Sequence, residues 1–414
     1  MPECFEDFPW KIYHRKRCGS IPGITPISRS RQFSRGGNGV NRRVLVAMSG
    51  GVDSSVTLLK IIEEGYEPIG VTMKLWESPE GSPSTNSYCC SVEAINNAKL
   101  VCEKYGVSHY TLDFQDVFRK NVVDYLVDQY FAGRTPNPCI QCNTHLRWGA
   151  LIRQADDLEA QWIATGHYAQ IDELAGVGPV IQKGVDEKKD QSYVLWGIDS
   201  QLLHRTLFPL GNFRKEEVRN IARKAGLVTA EIAESQELCF LPNADYRQFL
   251  KDYVPERVGA EKKGAMVSPN GEMVGEHRGI SQYTIGQRRK LGVTGPVPNY
   301  VQQIDTKTNT ITVAPREKIY FPGCQVRQLN WLIPLEKWPA GVVHTHIRYN
   351  HHGVESTLEH GKDGNVTVKF ESPQFAVTPG QSAVFYIDNI LLGGGIIVGA
   401  ESPPEQNGLD NHSQ

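Results

Sequence analysis

The sequence predicts an α/β protein: a doubly wound parallel sheet, followed by a small central domain and a C-terminal β-barrel. Three features carry that expectation. Short apolar runs alternate with amphipathic stretches of ten or more residues through the first half of the chain, the pattern of parallel strands joined by helical crossovers. From about residue 253 the text changes to short alternating segments separated by turn residues, which reads as all-β structure. At 414 residues and 40% hydrophobic content, the chain is long enough for two or three domains with buried cores.

The elements follow in order. Residues 44–48, Val-Leu-Val-Ala-Met, form a short buried strand that breaks at Ser49-Gly50-Gly51. The next helix takes its apolar side from Val56, Leu58, Leu59, Ile61 and Ile62 and stops at Gly65. Residues 68–74 make a second strand, 92–105 a second helix closed by Gly106, and 109–113 a third strand. The sheet continues through Ile163-Ala164-Thr165, with a helix over 215–225. Residues 301–304, 310–313, 342–349, 365–370 and 382–387 supply the later strands. The expected domains are an extension over 1–43, the doubly wound domain with its cysteines over 44–245, a central linking domain over 246–315, the barrel over 316–400 and a frayed polar tail over 401–414.

Charge adds little about partners. The chain has 44 Lys and Arg against 46 Asp and Glu; residues 1–43 carry +6, which leaves −8 for the rest, so bulk charge gives no nucleic-acid signal. No apolar run reaches the roughly 18 to 20 residues that span a bilayer. The longest candidate, residues 390–400, is interrupted by Gly393, Gly394 and Gly395, so a soluble protein without a membrane partner is expected. Nine cysteines, an odd number, fit a reducing compartment better than a secreted disulfide framework. The Arg- and Ser-rich stretch before residue 41 fits an organellar transit peptide for the mitochondrial matrix or chloroplast stroma. Glu3, Glu6 and Asp7 count against it, and cytoplasm is the alternative.

Ser49-Gly50-Gly51-Val52-Asp53-Ser54-Ser55 lies between the first strand and first helix, where backbone amides and a helix N-terminus converge on an anion. The ending of a Walker A loop is missing. The heptad resembles instead the PP-loop of the ATP pyrophosphatase superfamily, whose adenine nucleotide alpha hydrolase-like members split ATP between the α and β phosphates and adenylate a substrate oxygen. Asp53, negative beside a polyanion, makes sense if Mg²⁺ lies between them; the plain reading is a helix N-cap.

Two further segments hold thiols. Thr135-Pro136-Asn137-Pro138-Cys139-Ile140-Gln141-Cys142-Asn143 reads as a rigid turn ending in a helix that starts near Thr144, placing Cys142 at a helix N-terminus that stabilises a thiolate. A CxxC pair is often half of a zinc site, but no second pair completes one here. Cys239, in Ser235-Gln236-Glu237-Leu238-Cys239-Phe240, would by itself be read as a buried core thiol.

These segments, together with Ala164-Thr165-Gly166-His167-Tyr168-Ala169, Lys189-Asp190-Gln191-Ser192-Tyr193, Tyr283-Thr284-Ile285-Gly286-Gln287-Arg288, Arg348-Tyr349 and residues 378–386, occur in the order seen in the tRNA-specific 2-thiouridylase family, which the sequence resembles from about Val44 to Val398. The resemblance implies ATP-dependent replacement of O2 by sulfur on the wobble uridine, position 34, of tRNAs for Lys, Glu and Gln. Cys142 would be the nucleophile and Cys239 the persulfide carrier, supplied by a sulfur donor such as a cysteine desulfurase or relay protein. A Cys142–Cys239 disulfide would follow if the thiolate attacks the persulfide. By the same resemblance Ala47, Met48, Ser49, Gly50, Gly51, Val52, Asp53, Ser54, Met73 and Gly166 contact ATP. Asn137, Pro138 and Cys139 contact the target base, and His167, Lys189, Asp190, Gln191, Arg348, Tyr349 and Gln381 contact tRNA.

One position departs from the family. Many members carry Asp where this chain has Cys139, and that Asp is the proposed acid/base partner of the nucleophile. A thiol, with a reference pKa of roughly 8.5 against about 3.9 for Asp, does not simply inherit the role. Cys139, Cys142 and Cys239 together offer three ligands for a cuboidal 4Fe-4S cluster; the competing expectation is a direct persulfide route. His344, His346, His351 and His352 match no motif and read as barrel surface. Two other readings compete: a PP-loop ligase or amidotransferase acting on a small molecule, which leaves the cysteines without purpose, and a non-catalytic RNA-binding protein, in which a degenerate loop or missing cysteine would be expected.

Overall fold

The computed structural model describes residues 42–77, 91–233, 238–241, 245–293, 295–361 and 363–401. The expected transit peptide, the tail from residue 402 and Ser235, Gln236 and Glu237 of the Cys239 motif lie outside the described residues.

Strands β1 (Arg43–Ala47), β2 (Glu67–Lys74), β3 (His109–Asp113), β4 (Trp162–Ala164) and a later two-residue β7 (Thr206–Leu207) form one parallel sheet in the order β3-β2-β1-β4-β7. Alternation sets its two faces: Leu45 joins the core on one side, while Val44 and Val46 join the core on the other, all fully buried. Helix α1 (Val52–Glu63) packs Val52, Val56, Leu58 and Ile61 into the second core. Helix α2 (Val92–Lys104) starts at Ser91, whose hydroxyl accepts from Ala94 N at 3.1 Å. The strand order reverses between β1 and β4, so the turn after β1 opens at the topological switch point, where ligands of such sheets sit.

Between β3 and β4 the chain is helical from Gln115 to Phe131 and again from Pro138 to Asp157, with π-helical stretches at Arg119–Val123 and Cys142–Leu151. A hairpin, β5 (Ala169–Leu174) and β6 (Gly178–Lys183), follows. The central part holds a four-stranded sheet of β8 (Gly264–Val267), β9 (Met273–His277), β10 (Asn299–Asp305) and β11 (Thr310–Pro315), in the order β10-β11-β8-β9 around Met266, Val301, Ile311 and Val313.

The last part is a closed six-stranded barrel. Its strands are β12 (Tyr320–Trp331), β13 (Val343–His346), β14 (Val354–His360), β15 (Val366–Phe375), β16 (Ser382–Ile387) and β17 (Ile390–Ala400). They run β12-β15-β14-β13-β16-β17, and β12 pairs with β17 to close the ring. The apolar run at 390–400 is therefore a barrel strand. Gly394 in it is required by close approach, since a Cβ there would stand 2.7 Å from the Trp196 ring. The β5–β6 hairpin, which the sequence assigns to the first domain, pairs with the barrel through Ile390 and Gln182. No helix among the described residues is long and apolar enough to cross a membrane.

Candidate active site

The phosphate loop is shaped by what its glycines approach. Gly50 has φ +76°, and a Cβ on it would stand 2.1 Å from the Ala94 carbonyl oxygen, so only glycine lets the loop rest on the first turn of α2. Gly51 caps α1 in an extended conformation, and the nearest atom to an added Cβ would be Ser49 Oγ at 3.6 Å. Ser54 Oγ donates to Gly51 O at 3.0 Å and accepts from Ser49 N at 3.2 Å, which fixes the turn. Gly166, after β4, lies over the helix start; a side chain there would reach within 3.2 Å of Ser54 N and cover it. The glycine loop, the N-terminus of α1 and Gly166 thus come together without side chains between them, the arrangement of a cradle for phosphate.

Asp53 is already engaged. Lys215 Nζ donates to its two oxygens at 2.8 and 2.7 Å, and Tyr168 OH donates to Oδ1 at 2.7 Å. The Lys215 side chain is 12% exposed, and its backbone N–H donates to Asp186 at 2.9 Å. The carboxylate expected to meet Mg²⁺ meets a lysine in this structure. Among the described residues no group of three His, Cys, Asp or Glu is placed to hold a metal ion. Lys215 puts a cation beside the phosphate cradle; sequence reading missed it because nothing local to residue 215 points to a loop 162 positions earlier. Met73, 8% exposed, packs in the core with Leu45, Leu75 and Trp76.

The cysteine loop differs from expectation in its helix start. Asn137 Oδ1 accepts from Cys139 N at 3.1 Å and Pro138 occupies the first turn, so the helix begins at Pro138 rather than near Thr144. Cys142 therefore opens the following π-helical segment instead of an N-terminus. It is 7% exposed, and Arg147 Nη1 donates to its Sγ at 3.5 Å and to Asn143 Oδ1 at 2.7 Å. Asn143, buried, donates in turn to Val194 O at 2.9 Å. Cys139 is exposed and Cys239 half-buried. Cys239 packs with Leu238 against the cluster that holds Cys142, Trp76 and Phe240, so the two arrive at one core from separate loops. Among the described residues the three thiols are not gathered as a metal-holding group; Cys139 is exposed, Cys142 buried and Cys239 between the two.

The barrel reaches this loop. Gln381 Nε2 donates to Thr135 O at 2.8 Å and Pro136 O at 3.3 Å, and Thr135 N donates to Pro379 O at 2.9 Å. Tyr349 OH donates to Asp190 O at 3.0 Å. Burial, then Asp190, then Cys139 push that hydroxyl up to about 12. Arg348 is exposed and donates to Phe375 O. Asp190 is spent internally: its carboxylate accepts from Gly184 N, Ser192 N and Ser192 Oγ, and burial raises its pKa. Gln191 brackets Tyr168, accepting from its N–H at 3.1 Å and donating to its carbonyl at 2.9 Å. Lys189 is half-buried in the turn after Asp186. His167 is buried between Trp148 and Phe208, its Nδ1 2.7 Å from Thr165 Oγ1; burial, then Arg147, hold it well below the usual histidine range and hence neutral.

The expected surface histidines need one correction. His346 is buried against Tyr386 and Lys183, and burial first, then Lys183, push it down to about 3.

A glycine loop at the switch point of a parallel sheet, leading into a helix N-terminus with a lysine beside it, defines a nucleotide-binding protein of the PP-loop class. Family models agree with that class over the whole folded length: residues 42–243 match the tRNA methyl transferase HUP domain, 247–315 the tRNA methyl transferase PRC-barrel domain and 322–397 the aminomethyltransferase beta-barrel domain. The tRNA-specific 2-thiouridylase MnmA of Carboxydothermus hydrogenoformans is 45% identical over 367 residues, covering 86% of this chain and 97% of its own. That of Natranaerobius thermophilus is 44% identical over 367 residues, covering 87% and 98%. The chain belongs to the tRNA-specific 2-thiouridylase family. Among solved structures, a 4-thiouridine synthetase in complex with RNA and bound ATP is 18% identical, with a TM-score of 0.32 over 52% of this chain and 50% of that one.

Proposed function

We propose that the protein is a tRNA-uridine 2-sulfurtransferase that thiolates the wobble uridine of tRNAs for Lys, Glu and Gln at the expense of ATP. The observation that carries this is one scaffold holding two separate devices. The cradle formed by Ser49 to Ser54, Gly166 and Lys215 suits a triphosphate, and a proline-fixed loop carries Cys142 into the core that Cys239 shares. A ligase acting on a small molecule would need only the first.

ATP activates the C2 oxygen of the uridine as an adenylate, with pyrophosphate leaving. Asn137, Pro138 and Cys139, at the start of the short helix that precedes Cys142, are the groups that would meet the base; of the three, Cys139 is the exposed one. Cys142 thiolate attacks the Cys239 sulfur of a Cys239 persulfide. This forms a Cys142–Cys239 disulfide and releases hydrosulfide, which adds to C2 and expels AMP. A thiol reductant then returns both cysteines to thiols, and a cysteine desulfurase or relay protein restores the persulfide. We favour this persulfide route over a 4Fe-4S cluster, because among the described residues no group of three His, Cys, Asp or Glu is placed to hold a metal ion. For compartment, the Arg- and Ser-rich residues 1–43 support an organellar address, mitochondrial or chloroplast, which a fluorescent fusion with and without them would test.

The deciding experiment is thiolation of an unmodified tRNA transcript with ATP and a persulfide donor, followed by nucleoside mass spectrometry. Cys142→Ser and Cys239→Ser should each abolish 2-thiouridine while ATP-dependent pyrophosphate release survives. Thiolation by Cys239→Ser, or iron in the anaerobically purified enzyme lost together with activity in Cys139→Ser, would refute the persulfide route. Absence of 2-thiouridine with wild-type enzyme would refute the function.

A further inference from the structure

The nucleophile sits in an environment that should make it inert. A thiol that is 7% exposed is normally held protonated by its apolar surroundings, and only a nearby cation or helix N-terminus reverses that. The helix N-terminus is absent, since Cys142 is the fifth residue from the start at Pro138. The family's acid/base carboxylate is absent too, replaced by Cys139. What the structure supplies instead is Arg147.

The π-helical register puts it there. In an α-helix a residue five positions on lies about 140° round the cylinder from the first. In the π register of Cys142–Leu151, residue i+5 bonds back to residue i and comes over it. Arg147 Nη1 accordingly stands 3.5 Å from Cys142 Sγ. Asn143 holds the guanidinium at 2.7 Å and is itself fixed to Val194 O at 2.9 Å, so the cation is not free to swing into solvent.

Given that Cys142 is the nucleophile of the proposed reaction, we infer that Arg147 is a catalytic residue that holds Cys142 as the thiolate by donating a charge-assisted hydrogen bond to its sulfur. An arginine cannot take up a proton. Arg147 therefore does not act as a base: the Cys142 proton passes to bulk water, and the guanidinium stabilises the anion left behind until it forms its bond to the persulfide sulfur. Cys139 is then not needed to activate Cys142.

The test is the titration of Cys142 in the full chain. Ultraviolet thiolate absorbance is taken as the difference between each protein and its Cys142→Ser counterpart, with the pH dependence of Cys142 alkylation alongside. In wild type the midpoint should fall below the ordinary thiol value of roughly 8.5. Arg147→Gln should raise it by a unit or more, leaving about tenfold less thiolate at neutral pH, and Arg147→Lys should restore most of the shift. Single-turnover thiolation should fall in the same order and recover as pH rises. A wild-type midpoint at or above the ordinary value refutes the inference even if Arg147→Gln does not fold, and so does an unmoved midpoint in a folded Arg147→Gln. A shifted midpoint in an enzyme that thiolates no tRNA would leave the thiolate assignment standing and sink the proposed function instead.

Discussion

The two adjacent glycines of the phosphate loop should fail in different ways when each becomes alanine. At Gly50 the backbone is left-handed, φ +76°, which costs a residue with a Cβ about 1 to 2 kcal/mol. The new carbon would also stand 2.1 Å from the Ala94 oxygen, well inside contact distance. The loop and the first turn of α2 must separate, and overpacking of that kind costs about 1 to 3 kcal/mol. Gly50→Ala should therefore lose roughly 2 to 5 kcal/mol of stability, a large share of what a domain has. At Gly51 the backbone is extended, φ −94° and ψ 170°, and an added carbon meets nothing nearer than 3.6 Å. Gly51→Ala should change stability by no more than about 1 kcal/mol, since the gain from a stiffer unfolded chain is offset by alanine's poorer fit at the N-cap of α1. Its cost should fall on ATP. A methyl group at the mouth of the cradle obstructs an amide that would bond a phosphate oxygen, and a hydrogen bond to a charged group is worth about 1.5 to 3 kcal/mol, roughly 10- to 100-fold in affinity. Urea unfolding measures the first effect and tRNA-stimulated pyrophosphate release against ATP concentration the second. Wild-type stability in Gly50→Ala would refute the close approach to α2. Wild-type ATP dependence in Gly51→Ala would refute the cradle.

Lys215→Ala should weaken ATP binding about tenfold or more, by removing a charge-assisted phosphate partner, while leaving tRNA affinity intact; equal ATP titrations for variant and wild type would reduce Lys215 to a tie between two loops. Gln381→Glu keeps the shape but cannot donate to the Thr135 and Pro136 carbonyls. It should cost roughly 1 to 3 kcal/mol in the absence of tRNA, and unchanged urea unfolding would contradict the clamp. Acid should loosen the barrel. His346 in the folded state titrates at about 3 against an ordinary 6.5, so the unfolded chain takes its proton first. Its stabilising share is complete above about pH 6.5 and is lost as pH falls toward 3, at roughly 1.4 kcal/mol per pH unit. His346→Gln should flatten the fall in urea midpoint between about pH 6.5 and 4.5, and an unaltered slope would count against a buried neutral imidazole.

The parts of this molecule that could be read from sequence are those whose causes are local. The apolar run at residues 44–48, the break at Ser49-Gly50-Gly51 and the Gly106 stop after α2 place the first strands and helices within a residue or two, because each is decided within one turn or one strand of itself. The start of the cysteine helix was misplaced by reading Asn137-Pro138 as a turn, although an Asn followed by Pro is also a helix start. The π register that brings Arg147 over Cys142 has no sequence signal of its own. Lys215 meets Asp53, and Gln381 meets Thr135, across 162 and 246 positions, and no period or spacing encodes such a meeting. The buried histidine on β13 was hidden for the same reason: Lys183, which lies against it, belongs to a hairpin 163 positions earlier.

Those long-range meetings bear on why the barrel is present at all. Thr135 and Pro136 precede the cysteine helix; their carbonyls accept from Gln381 of the barrel, and the Thr135 N–H donates to the Pro379 carbonyl. Asp53 of the phosphate loop bonds Tyr168; Tyr168 is bracketed by Gln191; and the neighbouring Asp190 carbonyl accepts from Tyr349 of the barrel. In the proposed reaction, adenylation at the C2 oxygen and sulfur addition at the C2 carbon fall on one carbonyl of one base, so the two devices would have to be held at a fixed separation. Loops tethered only at their own ends would not hold that distance. Fastening both to a closed barrel, which has no free edge to slip, would hold it, and on the proposed function that is what the barrel contributes.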